Sequence, residues 1–299
     1  MFEKTRDYLR AASLPADDAP LLPASTRSFS DGGTYKWEVA GPIRAEHAAQ
    51  LVEACGAFDV FLNQITNTSG IMRLLDREIA DLVEFADSAN RQVVLAVGPR
   101  SAYDISAQRL AAGAAAQASA YRLRGVEQVV RAVADVERAA ALGVRGFLIF
   151  DEGLLWLLDR MRRDEKLPGG VRFKASSGMG VANPFHCRAV VELGADTINL
   201  QRDLELGMIA AARQMVDVPF DLHTDNPPST GGFIRIYEAP EMIRVGAPVY
   251  LKAGNSTLEI DDEDLTEPQV AAMARELAVQ GEMIARLVPN AEQSKSRSF

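Results

Sequence analysis

A chain of 299 residues with 47% hydrophobic content can bury one large core or two smaller ones, which sets disorder aside. The net charge of -9 works against a nucleic-acid groove or an anionic membrane surface as partner, because the overall field repels phosphates. Only Cys55 and Cys187 are present, too few for an iron-sulfur cluster held by four thiolates or for a disulfide-stapled scaffold.

The opening "MFEKTRDYLRAASLPADD" has scattered charges and no apolar segment of signal-peptide length, so a soluble, cytoplasmic protein is expected. Residues 1–33 read as an N-terminal extension without periodicity, expected to wrap the outside of the fold or to cover its bottom. From there, eight short β-prone segments alternate with helical patterns. They are "YKWEVA" from Tyr35, "VFLNQIT" from Val60, "QVVLAV" from Gln92, "GFLIFD" from Gly146, "VRFKAS" from Val171, "DTINLQ" from Asp196, "PFDLHTD" from Pro219 and "PVYLKAG" from Pro248.

Eight strand–helix repeats in this length imply a parallel sheet closed into a single (β/α)8, TIM-type barrel over residues 34–287. An open doubly wound sheet would carry a glycine-rich phosphate turn after an early strand, and none stands after the first three. The long connection from Ser101 contains the alanine-rich "AAGAAAQASA", an extended surface helix by composition, with a lid or a subunit contact as the alternatives. Residues 288–299 read as a tail expected to fray.

The later segments depart from the continuous apolar run of a strand buried on both faces. Period-two alternation sets Val171, Phe173 and Ala175 against Arg172, Lys174 and Ser176. It likewise sets Ile198 and Leu200 against Thr197, Asn199 and Gln201, and Val249, Leu251 and Ala253 against Tyr250 and Lys252. In the seventh segment Asp221, His223 and Asp225 share one face. The apolar sets suit the surrounding helices, so the polar sets line the interior, where unpaired charges cost several kcal/mol each and must pair or meet a ligand.

Position along the strand then divides them. Arg172 and Asp221, early in their strands, are expected to pair low in the barrel, with Lys174 as the alternative partner. Ser176, Gln201, Asp225 and Lys252 lie near the C-terminal ends, where barrel enzymes do their chemistry, with Lys174, Asn199 and His223 one layer below. The candidate catalytic residues are Lys174, His223 and Asp225, a carboxylate beside His223 being expected to fix its tautomer and favour its charged form. The candidate substrate-binding residues are Gln64, Thr66, Arg100, Ser176, Asn199, Gln201, Lys252 and Asn255. To these the loop "STGG" adds Ser229, Thr230, Gly231 and Gly232, whose backbone N–H groups suit a phosphate or carboxylate.

No cofactor is expected. A divalent metal stays open, through His223, Asp225 and a carboxylate of the fourth segment, where Asp151 or Glu152 is expected to turn inward. His47, His186 and both cysteines read as structural, and no G-x-S-x-G, H-E-x-x-H or C-x-x-C stands in the chain.

The run "GADTINLQRDLELGMIAAARQMVDVPFDLHTD", with "VYLKAG" after it, resembles the barrel part of the U32 peptidase family across Lys174 to Asn255. The resemblance implies a cysteine-containing signature after the seventh strand, which in some members holds an iron-sulfur cluster. Here that place reads "HTDNPPSTGGFIRIYE", without a cysteine, so cluster chemistry has no residue to carry it. The expected function is an enzyme acting on a small polar or anionic metabolite by acid–base or lysine chemistry, as lyase, isomerase or hydrolase. A U32-like peptide hydrolase and a noncatalytic binding or subunit protein are the alternatives. The expected partner is a small-molecule substrate, with no nucleic acid and no membrane, and a homo-oligomer left open.

Overall fold

The computed structural model describes residues 3–17, 22–41, 43–98, 121–228, 231–258 and 265–299. All eight expected segments form strands: β1 (Tyr35–Gly41), β2 (Leu62–Asn67), β3 (Gln92–Ala96), β4 (Gly146–Ile149), β5 (Arg172–Ala175), β6 (Thr197–Asn199), β7 (Phe220–His223) and β8 (Val249–Lys252). They pair in parallel in sequence order and close between β8 and β1, giving the expected barrel. Helices cross between the strands on the outside.

Alternation explains the layers. Trp37, Ile65, Phe173, Phe220 and Leu251 point outward into one continuous apolar cluster against the helices, and the intervening residues point inward. Helix starts follow local chemistry. Asn183 accepts hydrogen bonds from the N–H groups of Phe185 and His186 before the helix Pro184–Glu192, whose first residue needs no donor. Thr266 and Gln269 form a reciprocal capping box at the helix Glu267–Leu287.

The residues just before β1 and those after the last helix meet at the bottom of the barrel. Phe29 packs edge-on against Tyr250 at 5.4 Å between ring centres, so the N-terminal extension covers the bottom there. The C-terminal residues, expected to fray, are instead tied in. Ser294 donates its N–H to the Tyr35 carbonyl at 2.9 Å, Asn63 donates to the Ser294 carbonyl at 2.7 Å, and Gln92 donates to the carbonyls of Arg297 and Ser298. The approach is close enough that a Cβ on Gly33 would lie 2.4 Å from Ser294. The reason is polar satisfaction: the buried Lys36, Asn63 and Gln92 at the strand starts need partners, and the tail supplies carbonyls. The alanine-rich stretch of the long connection lies outside the described residues.

Among the described residues, no helix is long and apolar enough to cross a membrane.

Candidate functional site

The centre of the barrel holds a charge cluster drawn from four strands. Lys174 on β5 donates to Glu38 of β1 at 2.7 Å and to Asp221 of β7 at 2.5 Å. Lys252 on β8 reaches the other oxygen of Glu38 at 2.9 Å, and Thr66 donates to that oxygen at 2.6 Å. The Lys174 ammonium also lies 4.5 Å from the centre of the Tyr250 ring, whose hydroxyl donates to Gln92. All of these side chains are buried.

Their protonation follows from this wiring. Burial alone would raise Glu38, but the ammonium groups of Lys174 and Lys252 and the hydrogen bonds from Lys174 and Thr66 hold it well below the usual carboxylate range. Burial likewise pushes Asp221 up, to about 7, with Lys174 opposing and Glu38 reinforcing the shift. Glu38 is therefore the fixed anion of the cluster, and Asp221 is the one that can take up a proton. Burial works against the charge of both central lysines, and their neighbours decide the outcome. Asp221 and Glu38 hold Lys174 above the ordinary lysine range. Lys252 falls below it, since its pairing with Glu38 does not offset burial and the Lys174 charge.

Around this cluster stand polar groups with nothing to bind. Among the described residues, both ring nitrogens of His223, both polar atoms of the Gln64 amide and the Asn199 carbonyl oxygen are buried without a hydrogen-bond partner. Burial, together with the positive charges of Arg202 and Lys252, sets His223 well below its ordinary pKa, so the ring is neutral. Over the ends of β5 and β6 opens a cavity of about 470 Å³, lined among others by Phe150, Ser176, Gln201, Arg202 and Phe233.

Several expected positions take other duties. Arg172 opens β5 at the bottom rim and is substantially exposed, facing Asp196 at 3.9 Å, so Lys174 is the partner of Asp221. Asp225 makes no hydrogen bond to His223, whose ring nitrogens have no partner among the described residues. Strand β7 ends at His223, and Asp225 accepts from the N–H groups of Gly254 and Asn255 and from the Ser256 hydroxyl. The loop after β8, which carries the candidate Asn255, thus holds an anion of the chain itself. Asn255 also donates its side-chain amide to Ala40, and the Gly231 and Gly232 amides donate to the carbonyls of Pro228 and Pro227. Ser176 accepts from the Gly178 N–H while its side chain stays at the rim of the interior.

No carboxylate of the fourth segment turns inward. Asp151 caps the helix Glu152–Arg163 by accepting from the Leu154 N–H, and Glu152 pairs with Arg122 at 3.0 Å. Among the described residues, no three His, Cys, Asp or Glu side chains gather as a metal site, so the His223 and Asp225 donor set does not assemble. Arg100, Ser229 and Thr230 lie outside the described residues. Glu38 is the member of the charge cluster absent from the expected residues. The signal was present in "YKWEVA", where Lys36 and Glu38 alternate with Tyr35, Trp37 and Val39 as in the late strands.

Neither a family model nor a curated protein matches the chain. Among solved structures, it is similar to the U32 peptidase Mk0906 at 15% identity and a TM-score of 0.44, covering 76% of this chain and 96% of that one. It is similar to thiamine phosphate pyrophosphorylase from Pyrococcus furiosus at 11% identity and a TM-score of 0.49, covering 85% and 96%. A protein named for copper homeostasis, CutC from Streptococcus agalactiae, is similar at 9% identity and a TM-score of 0.50, covering 73% and 97%. At such identities a likeness is one of fold.

Proposed function

We propose that this chain is a barrel enzyme that takes a small polar or anionic metabolite into the interior above Glu38 and transforms it by acid–base or lysine chemistry. The observation that carries the reading is the set of buried, unpartnered groups on Gln64, Asn199 and His223 beside Lys252. A buried polar group left without a partner costs about 1–3 kcal/mol, so several in one layer favour groups whose partner is a substrate.

Roles follow from chemistry. Lys252 meets the anionic or electron-rich part of the substrate, and Gln64 and Asn199 orient it. His223, neutral when alone, can donate or accept at a substrate oxygen, and a bound anion supplies the negative charge that raises its proton affinity. Lys174 and Asp225 are read as positioning residues, because their charged groups are already engaged.

A thermal-stability screen against small carboxylates, phosphates and neutral polyols tests this. A binder held at 100 times its Kd adds about 2.7 kcal/mol of apparent stability, enough to move the melting temperature by several degrees. At least one small anion is expected to do so with the wild-type chain and to lose most of the effect with Lys252→Met. A panel without any response from the folded wild-type protein would sink the reading.

A further inference from the structure

We infer that Lys252 is an imine-forming nucleophile and that the metabolite therefore carries an aldehyde or ketone group. This rests on the interior being the reaction site, as proposed above, and adds the substrate class.

The two central lysines are wired differently. Lys174 is clamped between two carboxylates, at 2.7 and 2.5 Å, and its lone pair is never free. Lys252 has one carboxylate, Glu38 at 2.9 Å, and must share it with Lys174 and with the Thr66 hydroxyl. Two ammonium groups on one buried carboxylate repel each other, and the one held by fewer partners gives up its proton more readily. The direction of the Lys252 shift, below the ordinary lysine range, agrees with this wiring.

Geometry also supplies the other parts that imine formation needs. Lys252 is directly in register with His223, whose ring nitrogens have no partner among the described residues, so a proton-transfer group stands next to the amine. The amine sits at the last residue of β8, and the loop that follows is pinned by Asp225 through Gly254, Asn255 and Ser256. Across the interior, Val94, Ala96, Leu148 and Phe150 form an apolar wall that limits the water able to hydrolyse an imine.

The step balances without an oxidant or reductant. The Lys252 ammonium sheds one proton, the neutral Nζ adds its lone pair to the carbonyl carbon, and the carbonyl π pair goes to oxygen, which takes up that proton. Loss of a nitrogen proton through His223 and protonation of the hydroxyl release one water and leave a protonated C=N bond, with Glu38 as its counter-ion.

The test is reductive trapping on the full chain. Wild-type protein is incubated with pyruvate, glyoxylate or glycolaldehyde, reduced with borohydride and mapped by peptide mass spectrometry. The secondary-amine adduct is expected to map to Lys252 as the dominant lysine adduct of the chain. Lys252→Arg, which keeps a cation beside Glu38, should abolish it. No adduct from any of the three carbonyl probes overturns the inference, as does an adduct that maps to another lysine or persists in Lys252→Arg. If anions without a carbonyl group still raise the melting temperature in that case, the imine alone falls and the interior site stands. If they do not, both fall.

Discussion

The two sides of the barrel interior are built from opposite materials. The wall from β3 and β4 presents Val94, Ala96, Leu148 and Phe150, with Tyr121 and Phe299 packed at its edges. The wall from β1, β5, β7 and β8 presents Glu38, Lys174, Asp221 and Lys252. The same strand geometry serves both, so the difference lies in side-chain chemistry alone. An apolar wall keeps the local dielectric low, which strengthens every charge pair facing it and makes every unpaired charge more costly. The comparison teaches that the apolar side sets the terms on which the charged side operates.

The largest break in that comparison should come from Lys174→Met, which leaves Glu38 and Asp221 with Lys252 as their one remaining central cation. Removing one partner from a buried charge network costs about 3–5 kcal/mol, to be read by urea titration. Adding Asp221→Leu should recover part of the loss, because the stranded carboxylate goes with it. A loss below about 1 kcal/mol for Lys174→Met would mean that the polar wall is wetter than its burial indicates.

On the apolar side, Leu148→Ala should cost about 3 kcal/mol through lost burial and the cavity left behind. Because Leu148 is in register with Lys174 on the neighbouring strand, its effect should couple to that of a Lys174 substitution; strict additivity in the double variant would show that the two walls are separable.

The smallest effect is a slope. In the folded chain His223 stays neutral, whereas unfolded it takes a proton below about 6.5. Below that pH the unfolded state binds more protons, so His223 makes stability fall as the pH drops, by at most about 1.4 kcal/mol per pH unit until its folded pKa is reached. Asp221, raised from 3.8 to about 7, gives a slope of opposite sign across that window. The readout is therefore the difference between wild type and His223→Asn, which should grow as pH falls below 6.5. A flat difference curve would show the ring protonated inside the barrel.

Much of this was legible before any coordinates, because strand alternation is a local property. Lys174, Asn199, His223 and Lys252 were assigned to the interior from period-two patterning and are found there. The errors have a common origin in what alternation leaves out. It gives the face but not the depth, so Arg172, at the first residue of β5, points to the bottom rim instead of a buried partner. It also stops where the strand stops: Asp225 lies past the end of β7, bridges to Ile234 and turns to the loop after β8. Pairing across the barrel joins residues 136 positions apart in the case of Glu38 and Lys174, and no short window contains that.

The seam at the bottom of the barrel bears on how the chain is made. The bridge from Tyr35 to Gln293 and the hydrogen bond from Ser294 to Tyr35 join the first strand to residues far downstream of it. Until those residues leave the ribosome, Asn63 and Gln92 lack their carbonyl partners, and β1 lacks both the tail and β8 beside it. Contacts of such sequence separation form slowly, and the waiting strand has an open edge that can pair with other chains. Completion of the ring thus waits for residues made long after β1, and a nascent chain that stalls before residue 249 carries an unpaired β1 edge that chaperones would have to shield.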